Sequence, residues 1–244
     1  HLFTEQTRCE YDEKAGRFIH QDELKLGAIT IASQPSKQPL DKSERTKAWL
    51  NLFSKQGFSL FNEQPDSEQL LIRMSLASKL LPESFPRLNH DDLIADSQWL
   101  APYLDDIKNL EQLKKFNYSE AIKSCFDWQQ QSLLNELLPL RLTVPSGSNV
   151  KVSYQLDGPA KLSVRMQEVY GMTSTPLLAQ GKLPLLMELL SPARRPLQLT
   201  QDLANFWQTS YRDVQKEMKG RYPKHFWPDN PATSQATNKV KSKM

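Results

Sequence analysis

The spacing of apolar residues changes twice along the chain, and each change marks a different kind of structure. Residues 1–40 read as short β structure. A polar stretch, Asp12-Glu13-Lys14-Ala15-Gly16-Arg17, separates Tyr11 from Phe18 and predicts a hairpin turn between extended arms. Leu24, Leu26 and Ala28 alternate imperfectly with Lys25, Gly27 and Ile29, and Pro35 and Pro39 close the segment. Residues 41–138 shift to the helical period. Asp41 with Glu44 forms a capping box, Ala48, Trp49, Leu52 and Phe53 share one side, and Gly57 can end the helix. A second helix starts near Asp66 and Ser67, carries Leu70, Leu71, Met74, Ala77 and Leu81, and stops at Pro82. A third is expected over 91–100. Two more start at Asn109 (with Gln112) and Asn117 (with Glu120), the latter aligning Tyr118, Ala121, Ile122 and Cys125. Leu133, Leu134, Leu137 and Leu138 mark a last helix before Pro139.

Beyond Pro139 the period becomes two. Val144-Pro145-Ser146-Gly147 fits a type I turn. Val150, Val152, Tyr154 and Leu156 then alternate with polar residues, Asp157-Gly158-Pro159 turns, and Leu162, Val164 and Met166 alternate again. This is the clearest hairpin of the sequence, with Val152, Tyr154, Leu162 and Val164 on its inner side. Residues 183–190 form a nearly continuous apolar run that predicts a central strand, and 197–199 return as a short one. Thr200 is expected to cap a helical segment that breaks near Ser210 and ends about Lys219. The pattern therefore predicts an α+β fold: β structure in 1–40, a helical region in 41–138, a C-terminal α+β domain of hairpin, sheet and helices in 139–227, and a flexible basic tail in 228–244. The tail ends in Lys239, Lys241 and Lys243.

Charge sharpens this division. Residues 1–140 hold 16 Lys+Arg against 21 Asp+Glu, and residues 141–244 hold 15 against 7. The C-terminal part is expected to meet something anionic; an uneven distribution of solvated faces gives the same numbers. No apolar run reaches about 18 residues, so no membrane helix is expected. Two cysteines, Cys9 and Cys125, exclude a disulfide framework and a cysteine zinc site, and fit a reducing cytoplasm. A chain that opens His-Leu-Phe-Thr-Glu reads as part of a longer or processed polypeptide.

The search for chemistry returns little. No phosphate-binding loop occurs; Gly181-Lys182 lacks the upstream glycine. His1, His20, His90 and His225 have no ligand spacing. Ser146 has no nucleophile elbow, and the pairs Asp91-Asp92 and Asp105-Asp106 sit near helix ends. No catalytic, cofactor or metal residue is assigned. One constellation stands out. On a helix over 211–219, Tyr211, Val214 and Met218 share one side, while Arg212, Lys216 and Lys219 share the adjacent one. The stretch that follows interleaves Arg221, Tyr222, Lys224, His225 and Trp227. Cations neutralise phosphates and rings stack on bases, so these eight residues are candidate RNA contacts. The same block also reads as a solvated basic face followed by an aromatic anchor, with Asp213 and Glu217 diluting the charge.

Five stretches carry a family resemblance: 142–148 (Leu-Thr-Val-Pro-Ser-Gly-Ser), 165–168 (Arg-Met-Gln-Glu), 189–193 (Leu-Leu-Ser-Pro-Ala), 201–204 (Gln-Asp-Leu-Ala) and 216–225 (Lys-Glu-Met-Lys-Gly-Arg-Tyr-Pro-Lys-His). Together with Trp227-Pro228 they resemble the C-terminal region of HrpB-type proteins, bacterial ATP-dependent RNA helicases of the DEAH-box class. The likeness is strong in 139–228 and weaker in the acidic part. Asn230 departs from it where an acidic residue is expected, and Arg194 where glycine is common. The resemblance implies that two motor domains, a winged helix, a helical bundle and an OB-like fold precede this region. ATP and Mg would belong to those motor domains, with no cofactor held here. Residues 1–40 would be trailing strands of the OB-like module, packing onto the helical region. RNA, single-stranded, and the motor domains would be the partners. A protein-interaction or structural platform without nucleic-acid contact is the alternative.

Overall fold

A computed structural model describes residues 3–239. Three strands come first: β1 (Phe3–Asp12), β2 (Arg17–Leu26) and β3 (Ile29–Pro35), an antiparallel meander in the order β1-β2-β3. The expected hairpin is present, pairing Tyr11 with Phe18 and Asp12 with Arg17. Glu23 is buried on this sheet and is clasped by Arg8 at 3.3 Å and Lys25 at 3.5 Å.

The helices follow: α1 (Lys42–Gln56), α2 (Pro65–Leu80), α3 (His90–Ala95), α4 (Leu110–Lys115), α5 (Ser119–Lys123) and α6 (Trp128–Leu137). Asp41 caps α1 by accepting from the Glu44 N–H at 2.7 Å, and Gly57 ends it at φ 59°. Asn109 caps α4 through the Gln112 N–H at 2.9 Å. The helix expected over 91–100 is two pieces, α3 and a 3-10 turn over Ser97–Tyr103, joined at Asp96.

Contacts divide the chain into two compact units: residues 1–71 with 88–127, and 72–87 with 128–244. The division falls inside α2 and not at Pro139, where the composition shifts. In the first unit Tyr11 and Phe18 of the meander each lie with ring centroids 4.7 Å from the buried Trp49. The meander therefore packs on α1. A ladder of rings, Phe53, Phe58, Phe61, Trp99 and Tyr118, continues this core beside buried aliphatic residues such as Leu100, Leu104 and Leu113.

The second unit is built on a five-stranded sheet of β4 (Arg141–Thr143), β5 (Asn149–Ser153), β6 (Ala160–Arg165), β7 (Leu185–Leu190) and β8 (Pro196–Thr200), in that order. All pairs are antiparallel except β6 with β7, whose parallel register (Leu162 opposite Met187) requires the long crossover of 166–184. Val152 pairs with Leu162, and Val152, Tyr154, Leu162 and Val164 are all buried, as the alternation predicted. Leu185, Met187 and Leu189 continue that inner face through β7, an interior strand next to the central β6. Arg73 of α2 is buried and donates to the Leu138 carbonyl at 2.6 Å and to Asn135 at 2.8 Å, closing the C-terminal end of α6. Two helices complete the unit, α7 (Leu203–Gln208) and α8 (Tyr211–Arg221). The break between them falls near Ser210 as expected, but Asp202, not Thr200, caps α7 through the Asn205 N–H at 2.9 Å.

The reading of the C-terminal segment needs correction. Residues 228–239 are not a loose tail: Pro231 and Thr237 are buried, and a 3-10 turn spans Pro231–Thr233. Lys241 and Lys243 lie outside the described residues. Residues 141–143 form the edge strand β4.

Candidate nucleic-acid interface

Helix α8 forms because its buried side is bound to the segment that follows it. Tyr211, Gln215 and Met218 are buried; Arg212, Lys216, Lys219 and Arg221 are exposed. The cationic side predicted from the 100° wheel is therefore outward. Gln215 supplies the anchor: its Nε2 lies 3.1 Å from the Trp227 carbonyl, 2.6 Å from that of Pro228 and 2.9 Å from Asp229 Oδ1. The Tyr211 hydroxyl donates to the Pro228 carbonyl at 2.8 Å, and burial pushes that phenol up to about 12.

The tryptophan of the block serves the fold, while Tyr222 is half-exposed. Trp227 is only 4% exposed and donates from Nε1 to the Tyr222 carbonyl at 3.1 Å. A ring so buried offers no face to a base, which corrects its place among the stacking candidates. Gln167 binds three points of the same segment: its side chain donates to the Phe226 carbonyl at 2.9 Å, its Oε1 lies 3.1 Å from His225 Nδ1, and its carbonyl accepts from the Thr237 N–H at 2.9 Å. These glutamine anchors escaped sequence reasoning, because a lone Gln in a polar stretch carries no signal of its backbone partners.

The cations differ in how free they are. Lys219 lies 3.2 Å from Asp229, and Arg221 lies 3.5 Å from Glu217. Asp229 is held below its ordinary range first by the hydrogen bond from Gln215 and then by Lys219. Arg212, Lys216 and Lys224 are exposed. His225 is half-buried; burial, and then the nearby Arg165 charge, pull it below its ordinary value. It is thus neutral near pH 7 and adds no charge to the block. Arg165 itself pairs with Glu168 at 3.0 Å. Burial alone would raise the Glu168 carboxyl, but hydrogen bonds from Arg165 and Ser148 hold it below its ordinary value. Among the described residues no group of His, Cys, Asp and Glu could hold a metal ion, and no helix is long and apolar enough to cross a membrane.

In the second unit the segment after α8 is thus pinned by Gln167 and Gln215, and cations line the outer side of the helix. Residues 99–231, more than half of the chain, match the family model described as ATP-dependent helicase C-terminal, and the chain belongs to that family. Residues 2–36, which contain the β1–β3 meander, match a model for the connector region of the ATP-dependent RNA helicase HrpB.

Among individual proteins, the chain is 41% identical over 242 residues to the ATP-dependent RNA helicase HrpB of Escherichia coli strain K12, covering 98% of this chain and 30% of that protein. The crystal structure of the E. coli DExH-box NTPase HrpB superimposes with a TM-score of 0.86 over 98% of this chain and 30% of that one, at 41% identity. A crystal structure of the Escherichia coli DEAH/RHA helicase HrpB gives 0.76 over 93% and 29%, at 39% identity. The chain spans less than a third of the length of these relatives.

Proposed function

We propose that this chain serves as the accessory C-terminal region of an ATP-dependent RNA helicase and contacts single-stranded RNA through the outward side of α8. The observation that supports it is the sorting of α8, with Arg212, Lys216 and Lys219 exposed together while Tyr211, Gln215 and Met218 are buried. In this reading RNA and motor domains of the same polypeptide are the partners. ATP and Mg serve those motor domains, and the setting is the bacterial cytoplasm, where the free thiols Cys9 and Cys125 persist.

The test is salt-dependent binding of a labelled single-stranded RNA. Each phosphate neutralised on a single strand contributes about 0.7 to the slope of log affinity against log salt. Replacing Arg212, Lys216 and Lys219 with Gln is expected to lower the slope by roughly 2. Thermal stability should hold, because none of the three is buried. A second reading, a protein-interaction platform, draws on the pairing of Lys219 with Asp229 and of Arg221 with Glu217. An unchanged slope in the triple variant selects it.

A further inference from the structure

The turn that joins β7 to β8 carries two adjacent arginines, Arg194 and Arg195, between Pro192 and Pro196. Its backbone is fixed from the inside by Ser191, which is only 1% exposed. The Ser191 carbonyl accepts from the Arg194 N–H at 2.8 Å, and the Ser191 N–H donates to the Arg195 carbonyl at 2.8 Å. The Ser191 Oγ accepts from the Arg195 N–H at 3.0 Å. The two prolines fix φ on either side of the pair. The turn is therefore a rigid mount, and both of its arginines are exposed.

Arg194 occupies this mount at a conformational cost. It sits at φ 59°, in the left-handed region, where a residue with a Cβ is strained and glycine is not. Its side chain returns nothing to the fold: among the described residues neither guanidinium of the turn makes a hydrogen bond or an ion pair. The carboxylates of this part of the sheet are taken. Glu168, which lines the groove beside Arg194, is bound by Arg165 at 3.0 Å and by Ser148 at 2.6 Å. Glu188 of β7 is bound by Lys161 at 2.8 Å and by Ser163. Those pairs cancel their own charges and leave the two of the turn without an offset. Backbone strain that the fold does not use collects where a ligand is gripped.

We infer that the β7–β8 turn grips the phosphodiester backbone of single-stranded RNA through Arg194 and Arg195. A guanidinium suits that ligand because it is planar, always charged and offers parallel N–H donors to two oxygens of one phosphate. The rigid mount lowers the ordering cost of the grip. No cation of the strands takes part, Arg165 being neutralised by Glu168, and no cation of α8 is used. The inference rests on the reading that RNA is the ligand of this chain and places a separate contact on it.

The experiment measures the salt slope for a labelled oligouridylate with the whole chain and three variants. Arg194→Gly should lower the slope by about 0.7, one phosphate of a single strand, while leaving the thermal midpoint equal or higher, since glycine relieves the left-handed turn. Adding Arg195→Gln should bring the fall to roughly 1.4. Lys47→Gln, which removes an exposed cation of α1, should leave the slope unchanged. The single variant decides the matter if the double variant folds poorly. Unchanged slopes in the turn variants overturn the inference, as does an equal fall with Lys47→Gln, which would trace the loss to net charge. A midpoint lowered by Arg194→Gly overturns it too, because the guanidinium would then serve the fold. If the α8 triple variant lowers the slope and the turn variants do not, the turn fails alone. If the turn variants lower it and the triple variant does not, the α8 reading fails alone. If the unaltered chain binds no RNA, both fail.

Discussion

The Trp227 indole donates to the carbonyl of Tyr222, five residues earlier in the chain, and this bond closes the loop after α8. The ring lies inside the loop and not on its surface. Trp227→Ala is therefore expected to cost about 3–5 kcal/mol of stability, the range for truncating a buried large aromatic. RNA affinity, measured well below the unfolding transition, should stay the same. Urea unfolding followed by tryptophan fluorescence and circular dichroism checks the first part. Full stability with weakened RNA binding would show an exposed stacking ring instead.

The register of β6 makes a graded prediction. Val164 is buried on the inner face, so Val164→Asp places an unpaired carboxylate in the core at a cost of several kcal/mol. Ser163, one residue away, is exposed and donates to Glu188. Ser163→Ala loses that one bond, about 1 kcal/mol. Ser163→Asp should cost more than Ser163→Ala, because it sets a second carboxylate against Glu188 across the parallel pair. Denaturation midpoints in the order Val164→Asp, Ser163→Asp, Ser163→Ala, lowest first, support the register; any reversal contradicts it.

His225 predicts a pH dependence. Its value in the folded chain is depressed from the ordinary 6.5, by burial first and then by Arg165. The unfolded chain then binds the proton more tightly than the folded one. Its stability contribution is complete above about 6.5 and is lost as pH falls from there towards the depressed value. The thermal midpoint should drop more between pH 7 and about pH 5.5 for the unaltered chain than for His225→Gln. Parallel curves for the two proteins would remove His225 from the account.

Much of this was legible locally. Asp41 with Glu44 and Asn109 with Gln112 are signals complete within four residues, and both cap helices. The alternation through Val152 and Leu162 needed only a turn between them to become a paired hairpin. What escaped notice depends on partners distant in sequence. Arg73 reaches the Leu138 carbonyl 65 residues away, and Gln167 reaches that of Phe226 59 residues away. Backbone acceptors have no sequence signature, so such anchors are visible only in the fold. The candidate site divided along the same line. Helical periodicity placed Arg212, Lys216 and Lys219 outward, whereas the burial of Trp227 depends on Gln215 and the Pro228 segment.

The pairing of Lys219 with Asp229 gives a test in which binding should improve. Asp229 is exposed and sits 3.2 Å from Lys219, so it competes with any phosphate that approaches this end of α8. Asp229→Asn removes the competing charge. The Gln215 hydrogen bond at 2.9 Å survives, because the amide oxygen of Asn accepts as the carboxylate did. If α8 contacts RNA, the freed Lys219 should add about 0.7 to the salt slope and tighten binding severalfold at low salt. Folding should change little, since an exposed ion pair contributes about 0–1 kcal/mol. Combining Asp229→Asn with Lys219→Gln should cancel the gain, which ties the effect to that lysine and not to net charge alone. Equal affinity for Asp229→Asn and the unaltered chain, with both folded, would mean that RNA does not reach this end of the helix.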